Sequence, residues 1–321
     1  MGKIILKIPR HEKTVSVEEK ASQPDIAQCG METYEGTPQD CRLIDSTPPS
    51  GYPFAHSADQ IVPEEITAGL NTGIIGGKLV YLREVTSTQD MAEKLAREGA
   101  IEGTTVIAEK QLAGRGRRGR NWISPSGGGI YISLVLRPDI NPINIAQVPM
   151  AAGVALTKTI EQVTGIQSKI KWPNDIMIGT RKVAGILTEM NCEADRVNYI
   201  ILGIGINVNT GMQNLPELIR NTATSLREQS GSEVSRMEFI RCLLSQFEDI
   251  YKEFIVNGFS PILTQWKQLN NTIGSKVRVF DDTWEISGTA VDIDEDGSLL
   301  VETDSGVIKK IISGDVSLRN R

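Results

Sequence analysis

The sequence predicts an α/β fold of the α+β kind: a mixed sheet with helices, followed by a small C-terminal β-barrel. Three observations predict it. From about Glu64, amphipathic helical stripes are interleaved with short apolar, β-branched runs. From about Asn271 only strand-like runs remain, joined by glycine turns. Residues 1–60, by contrast, are polar, rich in Gln, Pro, Ser, Thr and Asp, and carry no sustained period, so by themselves they could hardly form a core. The chain of 321 residues has room for one catalytic domain with a smaller module at one or both ends. The expected divisions are a degenerate or disordered leader over 1–62, a catalytic domain over 63–270 and a barrel over 271–321.

The elements follow in order. Thr86-Ser87-Thr88 offers N-cap hydroxyls to a helix over Asp90 to Glu98. Thr105 to Glu109 and Ile130 to Leu136 read as strands, the second buried because its apolar run is nearly continuous. Ile145, Val148, Ala152, Ala155, Thr159 and Val163 recur at three- and four-residue steps, a helical stripe stopped near Gly165. Ser168 to Trp172, Lys182 to Glu189 and Tyr199 to Ile206 read as short strands. Met237, Ile240, Leu244, Phe247, Tyr251 and Phe254 mark a second long helix with Gly258 as its stop. The barrel strands are Lys276 to Phe280, Trp284 to Ile293, Leu299 to Thr303 and Val307 to Ile312, with turns at Asp296-Gly297 and Ser305-Gly306.

The bulk numbers exclude several functions. A net charge of −6 and a pI near 5.2 argue against a protein that coats nucleic acid or an anionic membrane, so any basic site must be local. There is no apolar run of about 18 residues and no secretory leader, so a cytoplasmic protein is expected. Cys29, Cys41, Cys192 and Cys242 lack paired spacing and fit free thiols in a reducing compartment. With only His11 and His56, histidine catalysis and histidine metal sites are improbable.

Two strings carry chemistry. Gly-Arg-Gly-Arg-Arg-Gly-Arg-Asn-Trp at 114–122 removes Cβ atoms at Gly114, Gly116 and Gly119 and supplies planar forks from Arg115, Arg117, Arg118 and Arg120. Taken alone, such a string also fits a solvated basic loop or an arginine-glycine patch for nucleic acid. Its place between two strands of an ordered domain favours a loop that covers a phosphate. In Lys-Trp-Pro-Asn-Asp at 171–175, Pro173 fixes the turn leaving a strand. A lysine held there can neutralise charge that grows on a phosphate, with Asn174 and Asp175 beside it. Gly203 and Gly205, in Gly-Ile-Gly-Ile-Asn, either relieve crowding in a strand or let a flat purine ring lie against the backbone.

With Lys-Val-Ala-Gly-Ile-Leu at 182–187, these strings closely resemble, in order and spacing, the successive signatures of the bacterial biotin–protein ligases of the biotin operon repressor group. The resemblance runs from about residue 61 to the C-terminus. It implies a mixed sheet like that of class II aminoacyl-tRNA synthetases, then an SH3-like barrel. It also implies that biotin and ATP, with Mg²⁺, form biotinoyl-adenylate, whose acyl group passes to a lysine of a biotin carboxyl carrier protein. By position, Ser87, Thr88 and Gln89 match the segment that contacts biotin's ureido head, with Gln89 where Asn is usual. Gln111, Gly114, Arg115, Gly116, Arg117 and Arg118 match the loop over biotin and phosphate, and Trp122 the residue that packs on the adenylate. Lys171 matches the lysine that bonds the carboxylate and the α-phosphate, with Arg117 as its catalytic companion. Asn174, Asp175, Gly205 and Asn207 fall to the nucleotide end, Gly185 to the biotin floor, and Asp175 is the candidate protein contact for Mg²⁺. A homodimer is compatible with the resemblance. Lipoate–protein ligases share the fold and route with different motifs, and a biotin-responsive repressor is the alternative from another class.

The leader departs from the family. Leu43 to Tyr52 resembles the end of the wing of a winged helix-turn-helix, yet no recognition-helix stripe precedes it. Codons for Gln28 to Gln39, read one base later, can encode N-A-V-W-K-H-M-K-A-L-R-R, the family's recognition-helix pattern. A pair of compensating frameshifts near Ala21 and Arg42 is the expectation, and with it a protein for which DNA is an unlikely partner.

Overall fold

The structure is a computed structural model and describes residues 59–318. The expectations for the leader, including the shifted frame, therefore lie outside the described residues. Helices are α1 (Pro63–Ala68), α2 (Thr88–Arg97), α3 (Gln147–Thr164), α4 (Glu217–Arg220), α5 (Leu226–Ser230), α6 (Arg236–Asn257) and α7 (Ser260–Leu269). Strands are β1 (Leu79–Leu82), β2 (Thr105–Ala108), β3 (Gly129–Leu136), β4 (Lys169–Lys171), β5 (Asp175–Ile178), β6 (Arg181–Cys192) and β7 (Val197–Asn207). They are followed by β8 (Lys276–Phe280), β9 (Glu285–Ile293), β10 (Leu299–Thr303), β11 (Ile308–Ile311) and β12 (Asp315–Leu318). No helix among the described residues is long and apolar enough to cross a membrane.

The first seven strands form one sheet in the order β1-β2-β3-β7-β6-β5-β4. Only β1 and β2 run parallel, and every other pairing is antiparallel. Side chains alternate across such a sheet, so residue parity decides which layer each one joins. In β7, Ile200, Leu202, Ile204 and Ile206 enter the main core with α3, α6 and α7. The intervening Tyr199 and Ile201 face the other way and pack with Ala92 and Ala96 of α2. In β3, Ile130, Ile132, Leu134 and Leu136 join the main core, while Val135 joins the α2 layer. A three-layer sandwich results, thick on the α3/α6 side and thin on the α2 side.

Two capping choices place the thin layer. Ser87 caps α2, its hydroxyl accepting the Gln89 N–H, as the Thr-Ser-Thr run predicts. The predicted start at Asp90 is two residues late, because Thr88 and Gln89 already turn within the helix. Gly165 ends α3 in the left-handed region at φ 70°, the stop predicted from the stripe. Buried Arg236, at the start of α6, is ion-paired to Asp59 at 2.8 Å and Glu109 at 2.9 Å and donates to the Gly129 carbonyl. It ties the beginning of the described chain to the mouth of β3.

The C-terminal strands form a five-stranded antiparallel sheet, β11-β10-β9-β8-β12. Missing from the sequence reading were β1, β5, β12, α1, α4, α5 and α7. The three strands have only four residues each, too few to display a period. In α7, Ile262, Leu263 and Trp266 do make a buried face, and Pro261 marks its first turn.

Candidate active site

The register of the sheet writes out the site. Lys171 of β4 lies opposite Asp175 of β5, Asp175 opposite Gly185 of β6, Gly185 opposite Gly205 of β7, and Gly205 opposite Tyr131 of β3. This single row crosses five strands. The next row places Ser133 opposite Gly203 and Gly203 opposite Leu187. These residues occupy the α2 face of the sheet, where only the first turn of α2 reaches, through Thr88 and Gln89 at Ser133 and Gly203. Three of them are glycines, so the thin layer stops and a cavity of about 760 Å³ opens over bare backbone. It lies on the sheet's polar row and has a charged end and a neutral end.

At the charged end, Lys182 Nζ is 2.5 Å and Lys171 Nζ 3.9 Å from the Asp175 carboxylate. Arg117 donates to Asn174 Oδ1 at 3.2 Å and to the Gly314 carbonyl at 3.3 Å, and has no carboxylate partner among the described residues. Two ammonium groups thus contact one carboxylate, and the Arg117 guanidinium lies within its field without pairing to it. Burial pushes the Lys171 ammonium below its ordinary value; Asp175 opposes that shift, and Lys182 and Arg120 add to it. Burial likewise lowers Arg117, again against Asp175. Asn174 is fixed from the other side, its amide donating to the Ile186 carbonyl.

The arginine loop divides its side chains. Arg115 turns to the rim and pairs with Asp90 at 2.9 Å and Glu189 at 2.7 Å. Arg117 points inward. Arg118, the one non-glycine among the described residues with positive φ, at 57°, reaches Asp282 at 2.8 Å and the Phe280 carbonyl at 3.3 Å. Arg120 pairs with Asp315. The C-terminal sheet therefore anchors the loop, and Phe280 and Asp315 to Leu318 form part of the cavity wall. Gly114 is packed tightly: a Cβ there would stand 2.5 Å from the Trp122 carbonyl.

Trp122 lies on the glycine floor. A Cβ at Gly205 would come within 2.5 Å of its indole Nε1, and one at Gly185 within 3.3 Å of its six-membered ring. Lys182 Nζ lies 5.3 Å from the indole centroid, a cation–π contact. The flat ring seated against Gly205 is thus an indole of the chain itself.

The neutral end is a chain of hydrogen bonds. Gln89 Nε2 donates to the Ile201 carbonyl at 3.0 Å. Ser133 Oγ is 2.9 Å from both Gln89 Oε1 and Thr88 Oγ1, and Thr88 Oγ1 is 3.1 Å from Gln111 Oε1. The Thr88 N–H also donates to Gln111 Oε1, at 2.8 Å. Gln111 Nε2 donates to Ser124 Oγ at 2.9 Å, and Ser124 to the Trp122 carbonyl at 3.0 Å. A continuous polar thread therefore runs from the sheet floor to the base of the arginine loop.

Most of the candidate residues converge on this cavity: Ser87, Thr88, Gln89, Gln111, Arg115, Gly116, Arg117, Trp122, Lys171, Asn174, Asp175, Gly185, Gly205 and Asn207 all line it. Gly114 and Arg118 do not; they hold the loop from behind and from the C-terminal sheet. Asn207 is half spent on structure, its amide donating to the Thr224 carbonyl at 3.1 Å. Sequence reasoning gave no role to Lys182, although it quoted the motif, and overlooked Ser133. Ser133 had a signal: it is the one small polar side chain inside the apolar run Ile130 to Leu136, at a position whose parity faces away from the main core.

The mixed sheet, the glycine floor and the arginine loop define a class of group-transferring ligase. Residues 81–207 match the biotin/lipoate A/B protein ligase family, and residues 272–319 the biotin protein ligase C-terminal domain. The bifunctional ligase/repressor BirA of Bacillus spizizenii is 43% identical over 268 residues, 84% of this chain and 82% of that one. BirA of Escherichia coli is 30% identical over 86% of this chain and 83% of its own length. Among solved structures, the biotin protein ligase from Aquifex aeolicus in complex with biotin and ATP superposes with a TM-score of 0.66 at 33% identity, covering 76% of this chain and all of that one. The chain belongs to the biotin/lipoate A/B protein ligase family.

Proposed function

We propose that the protein is an ATP-dependent biotin–protein ligase that forms biotinoyl-AMP and transfers biotin to a lysine of a biotin carboxyl carrier protein. The observation that carries this reading is the cation surplus of Lys171, Lys182 and Arg117 over Asp175, at one end of a cavity whose other end is neutral and polar. Two anions, a carboxylate and a triphosphate, must meet for an acyl-adenylate to form, and without cations they repel. In this reading a carboxylate oxygen attacks the α-phosphorus and pyrophosphate leaves. The carrier's lysine amine then attacks the acyl carbon, and AMP leaves. Lys171 and Arg117 stabilise the charge on the reacting groups, and the polar end fixes the head of the acid.

Mg²⁺ fits here only as a companion of the nucleotide. The described residues hold no group of three or more His, Cys, Asp or Glu that could cage a metal, and Asp175 is already contacted by two ammonium groups. Asp175 would be the protein's single carboxylate toward an ion bound mainly by phosphate oxygens and water, which would offset triphosphate charge.

The test is incorporation of labelled acids into a purified carrier domain. Biotin is expected to be incorporated and lipoate not; equal or greater lipoate incorporation would overturn the reading.

The relatives' repressor activity does not come with it in our proposal. Between Ala21 and Cys41 the chain has Asp25, Glu32, Glu35 and Asp40 and no lysine or arginine. Both attraction to phosphate and base reading are lost with such a segment. An operator duplex titrated at low salt with biotin and ATP should show no specific complex; a tight specific complex would contradict this.

A further inference from the structure

Lys171 is positioned by its main chain and not by its counterion. Its Nζ stands 3.9 Å from Asp175, longer than a hydrogen bond, whereas Lys182 reaches the same carboxylate at 2.5 Å. Lys171 is also the last residue of β4, an edge strand of three residues, and the chain turns through 172–174 directly after it. On its inner side β4 pairs with β5. On its outer side lies the segment that leads from α7 into β8. Asn270 pairs with Ile170 in a parallel bridge, and the Asn271 N–H donates to the Ile170 carbonyl at 3.0 Å. The ladder then ends on a side chain: the Trp172 N–H donates to Thr272 Oγ1 at 2.9 Å.

Thr272 is itself held. Its N–H donates to Asn270 Oδ1 at 2.9 Å, and its carbonyl accepts the Ser275 N–H at 3.1 Å. Trp172 has a second fixed point, its indole Nε1 donating to the Gly297 carbonyl at 3.0 Å in the β9–β10 turn. That turn rests on α3, where the Gln147 amide donates to the Glu295 carbonyl at 3.3 Å. Trp172 is 2% exposed and Thr272 completely buried, so water has little access to replace the hydroxyl as acceptor. Without that hydroxyl the Trp172 N–H must either stay bare or move, and Lys171 moves with it.

We propose that Thr272 is a positioning residue for Lys171: by accepting the Trp172 N–H, its hydroxyl sets where the Lys171 ammonium stands at the reacting phosphate. This rests on the ligase reading and on Lys171 as a group that stabilises charge there. Thr272 does not line the cavity and acts only through Trp172. A displacement of about 1 Å near the reacting atoms costs up to about a hundredfold in rate, so a loss of rate with little change in substrate affinity is the signature of misplacement. A hydroxyl that served only the packing of the C-terminal sheet would change the melting temperature without that signature.

The experiment measures single-turnover adenylate formation from biotin and ATP by the full chain, in wild type, Thr272→Val, Thr272→Ala and Thr272→Ser, each also combined with Lys171→Ala. Thr272→Val and Thr272→Ala are expected to lower the rate at saturating substrates about tenfold or more, with half-saturating biotin and ATP within about threefold of wild type. Thr272→Ser keeps the acceptor and is expected to stay within about threefold of the wild-type rate. With Lys171→Ala present, the Thr272 substitutions are expected to change the rate by less than about twofold, because the group they position is gone. Melting curves show which variants fold, and the Val and Ala variants report independently. The proposal is overturned if a folded Val or Ala variant keeps the wild-type rate, if Thr272→Ser loses as much as they do, or if they lose as much with Lys171→Ala as without it. It also fails if neither folds, since the hydroxyl then holds the fold as a whole. Wild type that forms no adenylate from biotin would overturn the ligase reading itself, a result distinct from an active wild type with additive losses.

Discussion

At the Lys171 end of the cavity two ammonium groups contact one carboxylate and Arg117 has none of its own among the described residues; at the Ser133 end four oxygens share two hydroxyl protons. The first end has too much positive charge for its surroundings, the second too few donors, and the two lie on adjacent rows of the same sheet. In the proposed reaction anions belong at the first end and the neutral head of the acid at the second. The comparison teaches how one cavity separates two jobs. Charge draws in and activates the reacting groups over several ångströms, while a hydrogen-bond deficit inspects one group at contact distance.

The largest effect is expected from removing charge at the first end. Lys171→Ala should reduce single-turnover adenylate formation by about a hundred- to a thousandfold, since a preorganised group at a reacting phosphate contributes about 3–4 kcal/mol. Near-wild-type rates would show that Lys182 and Arg117 suffice without it. The lowered Lys171 value also gives a pH sign. Its ammonium loses its proton at a lower pH than an ordinary lysine, so adenylation should fall on the alkaline side before the ordinary lysine value of 10.5 is reached.

The floor between the ends is the next target. Gly205→Ala would drive a methyl into the Trp122 indole, and the ring must leave the sheet. We expect a tenfold or greater loss of kcat/KM and a changed tryptophan emission. Unchanged emission would mean that the indole does not rest on Gly205.

A smaller effect on rate, with a larger one on retention, is expected from Arg117→Gly. Arg117 joins the loop to Asn174 and Gly314. Without it, amide exchange over residues 114–122 should rise, and released adenylate should label lysines of bystander proteins. Labelling confined to the carrier would show that Arg117 is not what retains the intermediate.

The smallest effect sharpens the contrast by sign. The folded state lowers the Lys171 value, so at neutral pH the charged group is held at the expense of stability, and stability is regained only as pH rises through the window up to 10.5. Lys171→Met should therefore raise the melting temperature by a few degrees while lowering activity. Gln89→Met has no such gain, because the Ile201 carbonyl loses its partner.

What could be read in the sequence follows the same division. The charged end was legible because arginines and lysines in glycine- and proline-marked strings announce themselves, and Gly165 and Ser87 delimit α3 and α2 by local chemistry alone. The neutral end was half legible: Ser87, Thr88 and Gln111 came from motif matching, whereas the role of Ser133 depends on its register opposite Gly203, a long-range fact. Gln89 shows the difference most clearly. It stands where Asn is usual, and the fold shows its amide bonded to Ile201 and Ser133. The anchoring of Arg118 and Arg120 by Asp282 and Asp315 spans some 160 to 195 residues of chain, beyond any local pattern.

The most direct measurement is isotope exchange between pyrophosphate and ATP by the full-length wild-type chain, with biotin, with lipoate and with no acid. Exchange that requires biotin is expected, with lipoate no better than the blank, because both ends of the cavity must be filled for the reaction to begin. Exchange of equal rate with lipoate, or with no acid, would contradict it.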